Sequence, residues 1–240
     1  MPKKFALLIA FPVLLFCFAR PAGAITLGQV DDFQSADPLD RFNWVNGASM
    51  VQRINGGGPL GAGDNYLQVT ANGAGQGGRL VAQNYNNPFD VPPIVSQWTG
   101  NYLAAGVNRI EFDLNNMSSV TLSIRLAFKT DLSQGSSGYL SARVILAPGS
   151  GWQHFSISIA PGSLTAIGGP AAYNTFFANG FEELRIINEA GSTNLNGDPV
   201  VGVLGIDNIR AVPEPATIAL AVGGVLLLGA RLRRGKRRAV

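Results

Sequence analysis

The sequence is poor in the residues that carry most enzyme chemistry. It has one cysteine, Cys17, and one histidine, His154. A single cysteine closes no intrachain disulfide, and Cys17 lies in an N-terminal apolar run that reads as removed. The remaining chain therefore holds by packing alone. One histidine without cysteine cannot supply the three or so protein ligands of a zinc centre, and a cysteine nucleophile is excluded. No G-x-S-x-G elbow is present. The glycine-rich stretches at 56–58 and 73–78 lack the strand-to-helix setting and the lysine of a phosphate loop, and read as flexible loops. Charge is scarce too, at 14% of residues. The formal net charge of +3 misleads, because nine of the 18 Lys and Arg sit in two terminal segments. Between residues 25 and 215 the other nine face all 15 Asp and Glu, a net of −6. A nucleic-acid-binding surface needs the opposite sign.

What is present is clearest at the two ends. Lys3 and Lys4 precede an apolar run from Phe5 to Ala19, and Ala22-Gly23-Ala24 supplies the small residues of a secretory cleavage site. We expect a signal peptide over 1–24, cut after Ala24. Phe16 before Cys17 is too bulky for a lipoprotein site, so a lipid anchor is rejected. The other end has three parts: a hinge of Val212, Pro213, Glu214 and Pro215, an uncharged run from Ala216 to Ala230, and a basic close of Arg231, Arg233, Arg234, Lys236, Arg237 and Arg238. Two prolines fix φ and disfavour helix before them. A fifteen-residue helix reaches roughly 22 Å at about 1.5 Å per residue, short of a hydrocarbon core of about 30 Å. Gly223, Gly224 and Gly229 weaken it further, while the arginines anchor its end at the interface. The reading is one marginal span, body outside and basic end in the cytoplasm.

This ordered hinge, short helix and arginine close, with a signal peptide at the far end, resembles the PEP-CTERM family of bacterial exported proteins. The resemblance covers about thirty C-terminal residues. It implies that 212–240 is a sorting tail (hinge 212–215, transmembrane 216–230, basic end 231–240), handled by signal peptidase and then an exosortase, with cleavage near the hinge. It further implies transient residence in the inner membrane of a Gram-negative bacterium that makes exopolysaccharide, then delivery to the cell surface or matrix.

The body, 25–211, reads as short strands joined by turns. Val120, Leu122, Ile124, Leu126 and Phe128 alternate with Thr121, Ser123, Arg125 and Ala127, a period of two that puts one face on a core. Ile110, Phe112 and Leu114 alternate with Glu111 and Asp113, and Asn115-Asn116 reads as the turn after them. Further strands are expected over 140–146, 155–159, 66–70, 79–82, 183–187 and 200–210, with one short helix near 171–178. The expected fold is all-β: a two-sheet β-sandwich of jelly-roll type. Ile206 and Ile209 are three apart, so a straight strand cannot point both inward, and a bulge at Asp207-Asn208 is expected.

The closing Ile-Asp-Asn-Ile at 206–209, with the opening Val-Asp-Asp-Phe at 30–33, resembles the last and first strands of galactose-binding-like jelly rolls found in carbohydrate-binding modules. That resemblance implies a structural calcium ion, with Asp31 or Asp32 and Asp207 as carboxylates and carbonyls completing the shell. No other cofactor is expected. The bland alternative has Asp207 and Asn208 simply closing a turn.

No catalytic residue is assigned. Glu111 with Asp113, and Glu182 with Glu183, are the carboxylate pairs that could cut glycosides. The first pair reads as the solvated face of a strand, and adjacent Glu182 and Glu183 point to opposite sides. His154 reads as a surface residue. The long proline-broken connection from Gln83 to Tyr102 carries Tyr85, Trp98, Asn101 and Tyr102, whose aromatic faces and amide suit a sugar. The competing reading, favoured because aromatics buried under long loops are common, turns Trp98 inward. Trp44 and Trp152 read as inward likewise, and Tyr173, Phe176, Phe177 and Phe181 as a hydrophobic cap. The expected function is a non-enzymatic surface or matrix protein that binds glycan such as exopolysaccharide; a purely structural domain and a polysaccharide hydrolase or lyase are the alternatives.

Overall fold

The computed structural model describes residues 25–35, 44–46, 50–74, 78–86, 96–131, 137–191 and 194–213. The signal segment, with Ala22 and Ala24, and the tail from Glu214 onward, with Pro215, lie outside them. Among the described residues no helix is long and apolar enough to cross a membrane.

The body is a two-sheet antiparallel β-sandwich. The strands are β1 (Val30–Asp31), β2 (Val45–Asn46), β3 (Met50–Ile54), β4 (Tyr66–Asn72), β5 (Val81–Tyr85), β6 (Arg109–Asn116), β7 (Leu122–Lys129), β8 (Gly138–Leu140), β9 (Val144–Leu146), β10 (Trp152–Ser158), β11 (Thr165–Ile167), β12 (Glu183–Asn188) and β13 (Val201–Val212). Helices α1 (Tyr102–Ala105) and α2 (Tyr173–Asn179) are short. Sheet 1 runs β10-β6-β13-β4-β3, with β1 also on β13; sheet 2 runs β11-β8-β7-β12-β5-β2, with β9 also on β7. From β4 to β7 the chain changes sheet at every strand, and β12 to β13 crosses again, which is jelly-roll connectivity.

The alternation read in the sequence sets the core. Ile110, Phe112 and Leu114 from β6 and Leu204, Ile206 and Ile209 from β13 face Leu122, Ile124, Leu126 and Phe128 from β7 across the sandwich, all buried. The strand expected from Ser119 begins instead at Leu122, and Val120 is exposed. The single strand expected at 140–146 is two. Ser141 Oγ accepts from Leu126 N (2.9 Å), taking the place of a ladder carbonyl, and the pairing resumes only at Val144. The cap is as expected: Phe177 and Phe181 pack on Tyr102 and Phe128, and Phe176 packs on Phe177 and Phe181, at centroid distances of 5.1 to 6.0 Å. Each such ring contributes roughly 1.5–3 kcal/mol through burial.

The bulge is also where it was expected. On β6, Asp113 and Glu111 are two apart, while their partners on β13, Asp207 and Arg210, are three apart. The extra residue is Asn208, at φ +50°, a left-handed conformation that asparagine tolerates better than most residues.

Sheet 2 is covered on both sides at its centre, while β9 and β11 stay partly exposed. Every residue of β12 is buried, because the loop after it folds back. Leu195 sits on Val81, Ala127, Leu140 and Ile187 on the sheet's outer face.

Candidate functional site

Of the long connection, residues 83–86 and 96–102 are among the described residues. Trp98 and Tyr102 are fully buried, so Trp98 takes the inward position of the favoured reading and neither ring can stack on a ligand. Their anchor is Asp31. Its Oδ2 accepts from Trp44 Nε1 (2.6 Å) and Trp98 Nε1 (2.7 Å), and its Oδ1 accepts from Gln97 Nε2. Tyr102 donates from its hydroxyl to Trp98 O at 2.8 Å. Asn101 is exposed and caps α1, its Oδ1 accepting from Ala104 N (2.8 Å). Tyr85 stands opposite Glu183 in sheet 2. The four expected ligand residues therefore share no surface.

The expected calcium set divides in the same way. Asp31 pairs opposite Ile209, a core residue, and so faces inward. Asp207 pairs opposite Asp113, whose side of sheet 1 carries exposed His154. Strand side chains alternate between faces, so Asp31 and Asp207 lie on opposite sides of sheet 1 and cannot ligate one ion. Asp32, exposed, remains on the Asp207 side.

Around Asp207 the neighbours are partnered. Asp113 Oδ2 accepts from Asn208 Nδ2 (2.7 Å), and its Oδ1 lies 2.9 Å from His154 Nδ1. Asp64 accepts from Gln34 Nε2 and from Leu60 N, both at 2.7 Å. Asp32 Oδ1 accepts from Gln34 N (3.1 Å). Asp207 Oδ1 accepts from Asn208 N (2.7 Å), but its Oδ2 is buried with no hydrogen-bond partner. Burial, with Asp64, Asp113 and Asp32 nearby, pushes the Asp207 carboxyl up to about 8 against the pull of the Asn208 N–H. Among the described residues no three acidic, histidine or cysteine side chains converge as a ready metal cage.

The outer face of sheet 1 also carries an aromatic platform. One rung of the ladder runs Gln52, Gln68, Gly205, Asn115, Trp152 across five strands. A Cβ on Gly205 would come within 2.8 Å of the Trp152 ring and 3.0 Å of Met117 Cε. Only glycine lets the indole lie this close to the backbone. Tyr66 meets the indole edge-on at 5.2 Å, and Trp152 Nε1 donates to Gly57 O at 2.9 Å. The adjoining rung carries Asp207, Asp113 and His154. Trp152, half-buried, is thus on the outer face and not inward as expected. Its parity with His154, already assigned to the polar side, was the signal. Glu111 and Asp113 make no free acid pair: Glu111 bonds Arg109 and Ser156, while Asp113 bonds His154 and Asn208.

No family model matches the chain, and no curated protein sequence does. Among solved structures it overlays the family 11 carbohydrate-binding module from Clostridium thermocellum in complex with a β-1,3-1,4-mixed-linked tetrasaccharide, at 15% identity and TM-score 0.43, covering 79% of this chain and 99% of that one. It also overlays a surface glycan-binding protein from Prevotella bryantii, at 13% identity and TM-score 0.42, covering 78% and 56%. An exo-β-agarase matches at 10% identity and TM-score 0.46, over 79% of this chain and 25% of that one. These overlaps are loose, and the fold assignment stands on the strand pairing above.

The Asp207 carboxyl binds its proton more tightly folded than unfolded. Between an ordinary carboxyl value near 3.8 and its folded value of about 8, the folded state holds the extra proton, so stability falls as pH rises through that window. In chelator-containing buffer, urea midpoints of the wild type should fall from pH 4 to 8, and Asp207→Asn should flatten the decline. An equal slope in both proteins would remove Asp207 as its source.

Proposed function

We propose that the chain is an exported, non-enzymatic surface or matrix domain that binds glycan on the outer face of sheet 1. The observation that carries this reading is the Trp152 indole lying over Gly205 beside Tyr66, flanked by Gln52, Gln68 and Asn115. An aromatic face offers a dry surface to the C–H side of a sugar ring, and neighbouring amides bond its hydroxyls. The burial of Trp98 and Tyr102 favours the second reading, a structural domain without ligand.

Calcium is the cation that the unpartnered oxygen of Asp207 suits, being a hard ion that takes six or more oxygens. Asp207 and Asp32, the expected carboxylates that remain on one side of sheet 1, would hold it, and backbone carbonyls or water would supply the remaining oxygens. Bound there, calcium supplies positive charge against this acidic group.

Delivery is through the secretory signal at 1–24 and processing of the tail at 212–240 by an exosortase, from the inner membrane to the surface. Val212 ends β13 and Pro213 follows it directly, which supports a hinge held extended beside the folded body.

Glycan array binding tests the platform. Trp152→Ala, with its circular dichroism spectrum unchanged, should weaken any bound polysaccharide by at least about tenfold, roughly 1.4 kcal/mol. Unchanged affinity, or no glycan bound by the wild type, sinks this site. Calcium should raise the melting midpoint of the wild type and leave Asp207→Asn where it is; a wild type indifferent to calcium rules the ion out. Replacing Glu214 should hold full-length protein in the inner membrane, and deleting 216–240 should release soluble periplasmic protein. Surface delivery of both variants at wild-type levels would end the sorting reading.

A further inference from the structure

The outer face of sheet 2 holds a group of charged side chains that the glycan reading does not use. Glu183 of β12 stands opposite Lys129 of β7. Both are fully buried, and Arg185, one rung on, is nearly so. Glu183 Oε2 lies 3.3 Å from Lys129 Nζ, and Glu183 Oε1 lies 2.5 Å from Arg185 Nε. The loop after β12 crosses this face. Leu195 seats on the apolar patch of Val81, Ala127, Leu140 and Ile187, which carries the next residue, Asn196, to the charges. Lys129 Nζ donates to Asn196 Oδ1 at 3.5 Å, and Arg185 Nη1 donates to the same oxygen at 3.0 Å. Gly197 holds the turn at φ +80°, where a Cβ would lie 3.0 Å from the Asn188 carbonyl oxygen.

An amine, an amide and a carboxylate meet here, and their roles are complementary. We propose that Lys129 and Asn196 become joined by an isopeptide bond that fastens the crossing loop to β7. The neutral amine of Lys129 attacks the side-chain carbonyl carbon of Asn196, forming the new C–N bond. Glu183 takes the proton that the attacking nitrogen sheds. Arg185, already bonded to Asn196 Oδ1, stabilises the negative charge that develops on that oxygen. Collapse of the tetrahedral adduct breaks the bond to Nδ2, and the proton held by Glu183 leaves with it as ammonia. One amine and one primary amide become one secondary amide and ammonia; no oxidant or cofactor is consumed.

Two further observations support the chemistry. Burial lowers the Lys129 pKa, and the Arg185 cation lowers it further, while Glu183 opposes them; a lysine so placed reaches its nucleophilic neutral form more readily. Lys129 and Glu183 are fully buried and Asn196 partly so, and holding the three groups together supplies the proximity that makes an otherwise slow amide exchange feasible. The two ends are 67 positions apart in the sequence. A cross-link over that distance restricts the unfolded chain as a disulfide would, in a body that contains no cysteine.

Mass spectrometry decides it. Folded full-length protein, denatured and digested with trypsin, should yield residues 126–143 linked to residues 186–210, lighter than the two peptides together by one ammonia. Trypsin should not cut after Lys129. Glu183→Gln, which keeps both reacting groups, should give mostly unlinked peptides. Unlinked wild-type peptides with Asn196 intact would overturn the proposal. So would unlinked peptides carrying aspartate at 196, the product of cyclisation at Asn196-Gly197, and so would linkage in Glu183→Gln as complete as in the wild type. None of these outcomes bears on glycan binding, which uses the other sheet.

Discussion

The register shift at Asp207 and Asn208 is the constraint on which the rest of sheet 1 depends. β13 is its central strand, pairing with β6 along one edge and with β4 and then β1 along the other. A strand presents alternate residues to each face. Without the extra residue, Ile209 and Ala211 would face solvent and Arg210 would face the core. One asparagine at positive φ restores the phase, so both halves of a twelve-residue strand bury their apolar side. The same irregularity places the Asn208 amide on Asp113 and leaves Asp207 buried beside three other acids. Packing and electrostatics here have one origin.

The two sheets treat their outer faces differently. Sheet 1 leaves polar rungs and a half-buried tryptophan accessible, while sheet 2 is covered by the chain's own loop, which lies over an apolar patch and a charged group. Burying Lys129, Glu183 and Arg185 costs desolvation that a surface would not impose. The cost is offset because each charge meets an opposite one and Asn196 takes two of the donors.

Much of this architecture was legible in the sequence, for a physical reason: period-two alternation is imposed by the core itself. The β6 and β7 patterns, the bulge between Ile206 and Ile209, and the aromatic cap all follow from which side chains must be dry. What the sequence does not show is set by distant partners. Trp98 turns inward as the favoured reading has it, but the acceptor of its indole N–H, Asp31, stands 67 positions away. Trp152 was assigned inward because bulky aromatics usually are, although its own strand parity put it beside His154. Gly205 gives no local sign that it underlies that ring. The grouping of Lys129, Glu183, Arg185 and Asn196 joins β7, β12 and a loop, a pairing that no periodicity encodes.

The pairing of β1 with β13 has a consequence for how the domain can be handled. Gly28 N donates to Ala211 O at 2.8 Å, and Ala211 N donates to Gln29 O at 3.0 Å, so the body's first and last strands finish side by side at one pole. A short linker could splice them, and the chain could be reopened at an exposed turn such as Pro148-Gly149 without disturbing either sheet. A tether at this pole would leave the far end of the sandwich pointing away from whatever surface holds it.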